Sequence, residues 1–177
     1  AHATATAGTL LFPESHFDMA RIGIGLYGLW PAKETKAYFG NRIKLTPPLV
    51  WKSLITEVKR LPKGSRIGYD FTETLLRDST VAIVPVGYWH GYPRALSSIG
   101  CVLVCGKKCK VIGRISMDML TIDITGVRGA KSGVEAVLLG ADSANPVSAE
   151  GIANLTDSSW YEVVTSLNPL IKRIYVG

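Results

Sequence analysis

From residue 49 onward the hydrophobic positions fall into short runs broken by polar or glycine-bearing stretches. The runs at 49–58, 80–86, 101–105, 109–112, 120–124, 134–139 and 171–176 are rich in valine, isoleucine and leucine, and each has strand length. Gly106-Lys107-Lys108 between two of them predicts a hairpin turn, and Pro62-Lys63-Gly64 predicts another turn. Two helices interrupt this rhythm. Ser148 is placed to cap a helix over 149–155, and Ser159 or Asp157 to cap one over 160–167, which Asn168-Pro169 ends.

The first residues follow another pattern. Over 17–26 a short helix end is expected to run into a buried strand that Trp30-Pro31 stops, as in the last βα piece of an α/β barrel. The polar stretch that follows, with its Pro47-Pro48 pair, predicts a linker. The expected organisation is a barrel fragment over 1–30, a linker over 31–48, and over 49–177 a mainly β domain, barrel-like or sandwich-like, with two short helices.

Composition narrows the class. The chain has 177 residues, 47% of them hydrophobic, enough for a substantial core. Its longest apolar runs fall far below the ~20 residues of a membrane-spanning helix. The stretch Ala1-His2-Ala3-Thr4 has neither a starting methionine nor a signal-peptide layout, so the chain is expected to be a segment cut from a longer protein. A net charge of +6 is spread in ones and twos, which suits small anions rather than nucleic acid. Cys101, Cys105 and Cys109 lack metal-site spacing and have no histidine nearby; they are expected to be small residues in two adjacent strands of a protein from the reducing cytoplasm.

Several motifs carry candidate chemistry. Gly23-Ile24-Gly25-Leu26-Tyr27-Gly28 matches a dinucleotide fingerprint letter for letter, but no helix opens after it, so that reading fails. Its glycines still permit a ligand to approach the backbone, with Arg21 supplying a nearby cation. Ser116, His90 and Asp118 supply hydrolase residue types without the nucleophile-elbow context. Three segments stand out: Tyr69 within Arg66-Ile67-Gly68-Tyr69-Asp70-Phe71, the aromatic run Gly87-Tyr88-Trp89-His90-Gly91-Tyr92-Pro93-Arg94, and Gly113-Arg114-Ile115-Ser116-Met117-Asp118. Taken singly, Tyr69 reads as a packing ring, Met117 as core filler, and Arg114 with Asp118 as a surface pair.

Together they resemble a known family. Val84-Pro85-Val86-Gly87-Tyr88, then Gly91-Tyr92-Pro93-Arg94, then the stretch from Val102 to Asp118 are similar to the C-terminal domain of alanine racemases. The likeness extends back through His2, Phe12-Pro13 and Met19-Ala20-Arg21-Ile22-Gly23-Ile24, and forward through Tyr161-Glu162-Val163 and Lys172-Arg173-Ile174-Tyr175.

The resemblance implies a TIM-type barrel that binds pyridoxal phosphate, a C-terminal β-domain, and a head-to-tail homodimer interconverting L- and D-alanine for peptidoglycan. It implies that the Schiff-base lysine lies outside this chain. Inversion at carbon requires bases on opposite faces, and by resemblance Tyr69 serves the face opposite that lysine. Tyrosines ordinarily ionise near pH ~10, so cationic neighbours are expected to assist. Arg21 matches the arginine on the pyridine nitrogen; a guanidinium only donates, so the ring stays unprotonated and becomes a weaker electron sink. Thr6, Gly23 and Ile24 match phosphate contacts, and His2 matches a residue beside the cofactor. Met117 matches a backbone contact to the substrate carboxylate, while Tyr88, Arg94 and Arg114 match the lining of the access path.

Five positions depart from the family pattern: Thr6 in place of serine, Asp70 in place of glycine, Trp89-His90 in place of Ala-Asp, and Pro169 where some members have tyrosine. A serine or broad-specificity racemase, and a non-catalytic dimerisation or regulatory β-domain, stand as alternatives.

Overall fold

A computed structural model describes residues 1–140 and 147–176. It divides into two compact units, 1–49 and 50–177.

The first unit contains helices α1 (Thr6–Leu11) and α2 (Lys33–Phe39) and no strand. The buried strand expected through residues 22–26 is absent: Ile24–Tyr27 forms a 3-10 turn, with Ile22 and Leu26 exposed. Three glycines within six residues let the chain coil where continuous apolar character suggested extension. The stretch expected to be a linker carries a helix. Lys33-Glu34-Thr35-Lys36-Ala37 consists largely of good helix formers, and their polarity reflects an exposed helix rather than a loop.

The second unit is built from β-sheet. Strands β1 (Trp51–Leu54), β2 (Glu57–Leu61), β3 (Arg66–Ile67), β4 (Glu73–Thr74), β5 (Ser79–Val84), β6 (Cys101–Val104), β7 (Lys107–Lys110), β8 (Leu120–Asp123) and β9 (Glu135–Leu139) form three antiparallel sheets. Their orders are β1-β9-β6-β7, β2-β5-β8 and β3-β4. The single strand expected over 49–58 is split, because the Ile55 N–H donates to Val134 O and the Thr56 N–H to Ile83 O, so the run changes partners between two sheets. Val111 makes a similar link beyond β7, bridging to Ile122 of β8.

Val84, Val102, Val104, Val111, Ile122, Ala136 and Leu138 are almost completely buried and form the core. Each large side chain among them contributes roughly 1.5–3 kcal/mol through burial. Tyr92 is buried with them: its ring meets Trp51 edge-on at 6.1 Å, and its hydroxyl donates to Cys101 O at 3.3 Å. Burial drives the Tyr92 pKa upward, so this hydroxyl remains a donor.

The hairpin turn lies one residue earlier than expected. Cys105 and Gly106, both left-handed, make the turn, and Lys107 and Lys108 already belong to β7. All three cysteines are free thiols; Cys101 and Cys109 are buried in adjacent strands, and Cys105 is exposed in the turn. Residues 171–176 form no strand; from Lys172 onward they are exposed, with no partner strand among the described residues to pair them.

Helices α3 (Ala149–Thr156) and α4 (Trp160–Thr165) follow. Ser159 caps α4, whereas Asp157 is left-handed and ends α3. Ser148 Oγ accepts the Gly151 N–H at 3.0 Å. Ser148→Ala is expected to lower stability by about 1 kcal/mol, readable as a shift in urea midpoint at constant slope.

Candidate functional site

Tyr69 stands at the tip of the β3–β4 hairpin, 69% exposed, on a 3-10 turn closed by the Phe71 N–H donating to Gly68 O at 3.2 Å. The turn is tight because Gly68, Asp70 and Phe71 all have positive φ, at 79°, 59° and 52°. Aspartate tolerates this region better than most residues, which lets position 70 differ from the glycine of the family pattern. Gly68 has a second constraint: a Cβ there would lie 2.7 Å from the Arg114 N. The Tyr69 turn therefore packs directly on the segment Gly113-Arg114, and Asp70 forms an ion pair with the Arg114 guanidinium. Arg114 does not pair with Asp118, contrary to the expectation from adjacency.

Arg114 leads into the turn that carries Met117. The Ser116 N–H donates to Met119 O at 3.0 Å, and the Met119 N–H returns to Ser116 Oγ at 3.1 Å. Met117 is exposed, and its N–H meets no protein acceptor among the described residues. The aromatic segment braces this turn. The Tyr88 N–H donates to Ser116 O at 3.1 Å and the Trp89 N–H to Met117 O at 2.9 Å. Ser116 is thus a turn-forming residue, and His90 Nδ1 accepts the Gly87 N–H instead of approaching Ser116, so no hydrolase triad assembles.

Arg94 begins a 3-10 turn (Arg94–Leu96) and, with Ala95, Ser97 and Arg114, lines an open depression of ≈ 390 Å³. Arginines distant in sequence thus share one concavity. Tyr69, Tyr88, Arg94, Arg114 and Met117 fall within one continuous set of contacts on the second unit.

Sequence reasoning missed Glu73, which organises this region. Its Oε2 accepts the Gly113 N–H at 3.1 Å and the Ser98 hydroxyl, and its Oε1 pairs with Lys110 Nζ at 2.9 Å. A glutamate at a strand start has no distinguishing sequence signal. Burial works to raise its pKa, but the hydrogen bonds from Ser98, Lys110 and Gly113 and the Lys110 charge outweigh it and hold the carboxyl below its usual range. A lowered pKa contributes stability above the unfolded value that disappears as pH falls through the folded one. Glu73→Gln is accordingly expected to lower the urea midpoint near pH ~7, with the gap to the parent closing below the ordinary glutamate value of ~4.3. A gap independent of pH would show that ionisation is not what Glu73 contributes.

In the first unit, Thr6 Oγ1 lies 3.2 Å from the Gly23 N and 3.3 Å from the Gly25 N, accepting from both. The Gly23 N–H is thus engaged by Thr6. Gly23 is exposed with open space where a side chain would stand, while Ile24 is buried. The Arg21 N–H donates to Thr4 O at 3.0 Å, and Arg21 and His2 are exposed. Among the described residues no group of three or more His, Cys, Asp or Glu could hold a metal, and no helix is long and apolar enough to cross a membrane.

Comparison with known proteins gives a consistent picture. A family model described as "Alanine racemase, C-terminal domain" matches residues 49–175. An alanine racemase of Leptospira interrogans is 45% identical over 99% of this chain and 46% of its own length. Among solved structures, an alanine racemase of Clostridium difficile 630 superposes with a TM-score of 0.89 at 31% identity, covering 99% of this chain and 44% of that one. An alanine racemase from Bartonella henselae with covalently bound pyridoxal phosphate gives 0.83 at 29% identity, covering 98% and 46%. The chain spans about half the length of the relatives it matches.

Proposed function

Because the chain belongs to the alanine racemase family, we propose that it is the C-terminal part of a pyridoxal-phosphate-dependent racemase that interconverts L- and D-alanine. The observation that carries this reading is the Tyr69 turn packed against the segment that presents the Met117 N–H and Arg114. In this proposal residues 1–30 complete a cofactor-binding barrel, 31–48 link it to the β-domain at 49–177, and the Schiff-base lysine belongs to a preceding segment. The active enzyme is a cytoplasmic head-to-tail homodimer that supplies D-alanine for peptidoglycan.

The residues of the first unit suit the cofactor. The Thr6 hydroxyl proton and the Arg21 guanidinium are donors, matched to a phosphate and to a pyridine nitrogen that accepts, and the open space at Gly23 lets a phosphate approach the backbone at 23–24, where the Gly23 N–H would exchange Thr6 for it. His2 precedes Thr6 on the same short stretch of chain and is exposed. Pyridoxal phosphate, when bound, supplies the electron delocalisation that acidifies the substrate α-hydrogen.

The chain's own groups have separate tasks. Tyr69 takes or returns a proton through Oη on one face of a substrate held by the partner subunit. The Met117 N–H and the Arg114 and Arg94 guanidinia attract and orient the substrate carboxylate, and Tyr88 narrows the approach. Alanine rather than serine is the substrate proposed, resting on the family. Comparing turnover of both amino acids by the enzyme containing this segment tests it: serine racemised as fast as alanine would overturn the alanine assignment.

A further inference from the structure

Two carboxylates that follow Tyr69 fasten its turn to the same place. Asp70, the next residue, pairs with the Arg114 side chain, and Glu73, four residues on, accepts the Gly113 N–H at 3.1 Å. Gly113-Arg114 is also the stem of the Met117 turn. Gly68 completes the attachment, lying so close to the Arg114 N that only glycine fits. The turn contributes little buried surface of its own: Tyr69, Phe71 and Asp70 are all largely exposed. What registers an exposed turn is then its polar tethers.

We infer that Asp70 is a positioning residue, whose ion pair with Arg114 sets Tyr69 Oη in register with the Met117 backbone. The inference rests on the reading of Tyr69 as a base. An exposed ion pair contributes little to global stability, so its consequence is local. A glycine at 70 satisfies the same left-handed backbone but leaves the turn without this tether. Glu73 anchors the base of the hairpin by a separate bond, so loss of Asp70 loosens the tip alone. The pair engages Arg114 through Nη1, and Arg94 has no ion pair among the described residues, so both guanidinia keep donors over the depression.

The test uses the dimeric holoenzyme that carries this segment and compares Asp70→Asn, Tyr69→Phe and the parent. Asparagine keeps the shape and tolerates the left-handed backbone while removing the charge. Two quantities are read: exchange of the α-hydrogen of each alanine enantiomer with deuterated water, and amide hydrogen exchange of residues 66–74. Tyr69→Phe should abolish α-hydrogen exchange of one enantiomer and spare the other. Asp70→Asn should slow that same exchange about fivefold, leave the other enantiomer at the parent rate, and speed amide exchange at Phe71 while β5 and β8 stay unchanged. Asp70→Asn slowing both enantiomers equally, or neither, would overturn the positioning role and leave Tyr69 as the base. If Tyr69→Phe altered neither enantiomer, the base assignment would fall, and unchanged amide exchange at 66–74 in Asp70→Asn would dismiss the tether as well.

Discussion

In a racemase carrying this segment, Tyr69→Phe lowers racemisation about 10³-fold, the range expected for loss of a positioned general acid–base, and does so equally in both directions. The equality is forced: mirror-image amino acids have equal free energies in water, so kcat/KM cannot fall for one direction alone. Direction shows only in half-reactions, where the α-hydrogen of one enantiomer still exchanges with solvent through the opposite base. Because Tyr69 is exposed at a hairpin tip and fills no core position, the substitution should leave the free energy of unfolding within about 0.5 kcal/mol of the parent. Circular dichroism follows racemisation and proton magnetic resonance follows exchange. Parent-level racemisation would remove Tyr69 from the chemistry and favour a β-domain that serves dimerisation or regulation.

The second large effect comes from a residue with no chemistry. Gly87 has an ordinary extended backbone, so its requirement is space: a Cβ would lie 2.2 Å from Ser116 O, 2.4 Å from Met117 C and 2.5 Å from Asp118 N. Backbone on both sides must then separate, and the two hydrogen bonds from Tyr88 and Trp89 that brace the Met117 turn are lost. Gly87→Ala is expected to cost about 1–3 kcal/mol of stability from overpacking. A displacement of the Met117 backbone near ~1 Å lowers kcat/KM by about 10²-fold. Urea unfolding and steady-state kinetics read the two effects separately. Full activity with reduced stability would show that the Met117 turn does not orient substrate.

Much of the β-domain was legible in the sequence, and the reasons are local. Residues 80–86, 101–105, 120–124 and 134–139 combine β-branched side chains with polar breaks, and each contains a strand. Ser148 and Ser159 announce their helices through side chains that accept the first free N–H groups. The failures arise where neighbours decide. Whether 49–58 is one strand or two depends on Val134 and Ile83, far along the chain, and the run at 171–176 has no partner strand among the described residues. Apolar character over Gly23 to Gly28 suggests extension, but the glycines there let the chain coil into a 3-10 turn.

At the candidate site, motif order picked out Tyr69, Tyr88, Arg94, Arg114 and Met117. It carried no information about what fastens them. The pair Asp70–Arg114 spans two hairpins, Glu73 has an unremarkable sequence context, and the crowding at Gly87 exists only once Ser116 lies across from it. Side-chain identity is written locally, whereas the contacts that aim side chains are set by tertiary structure.

The pairing of β1 with β9 sets Trp51 opposite Leu139. On a ribosome, the first strand of this domain waits for a partner roughly 90 residues behind it, which at about 5–20 residues per second takes roughly 5–20 s. The four-stranded sheet therefore closes only after its last strand, β9 (Glu135–Leu139), has emerged. During that interval the edge formed by β6 and β7, which pair through a two-residue turn, is the part able to form early. A nascent chain stalled before residue 135 would hold that hairpin without its covering strand, and would be the stage at which this domain most needs a chaperone.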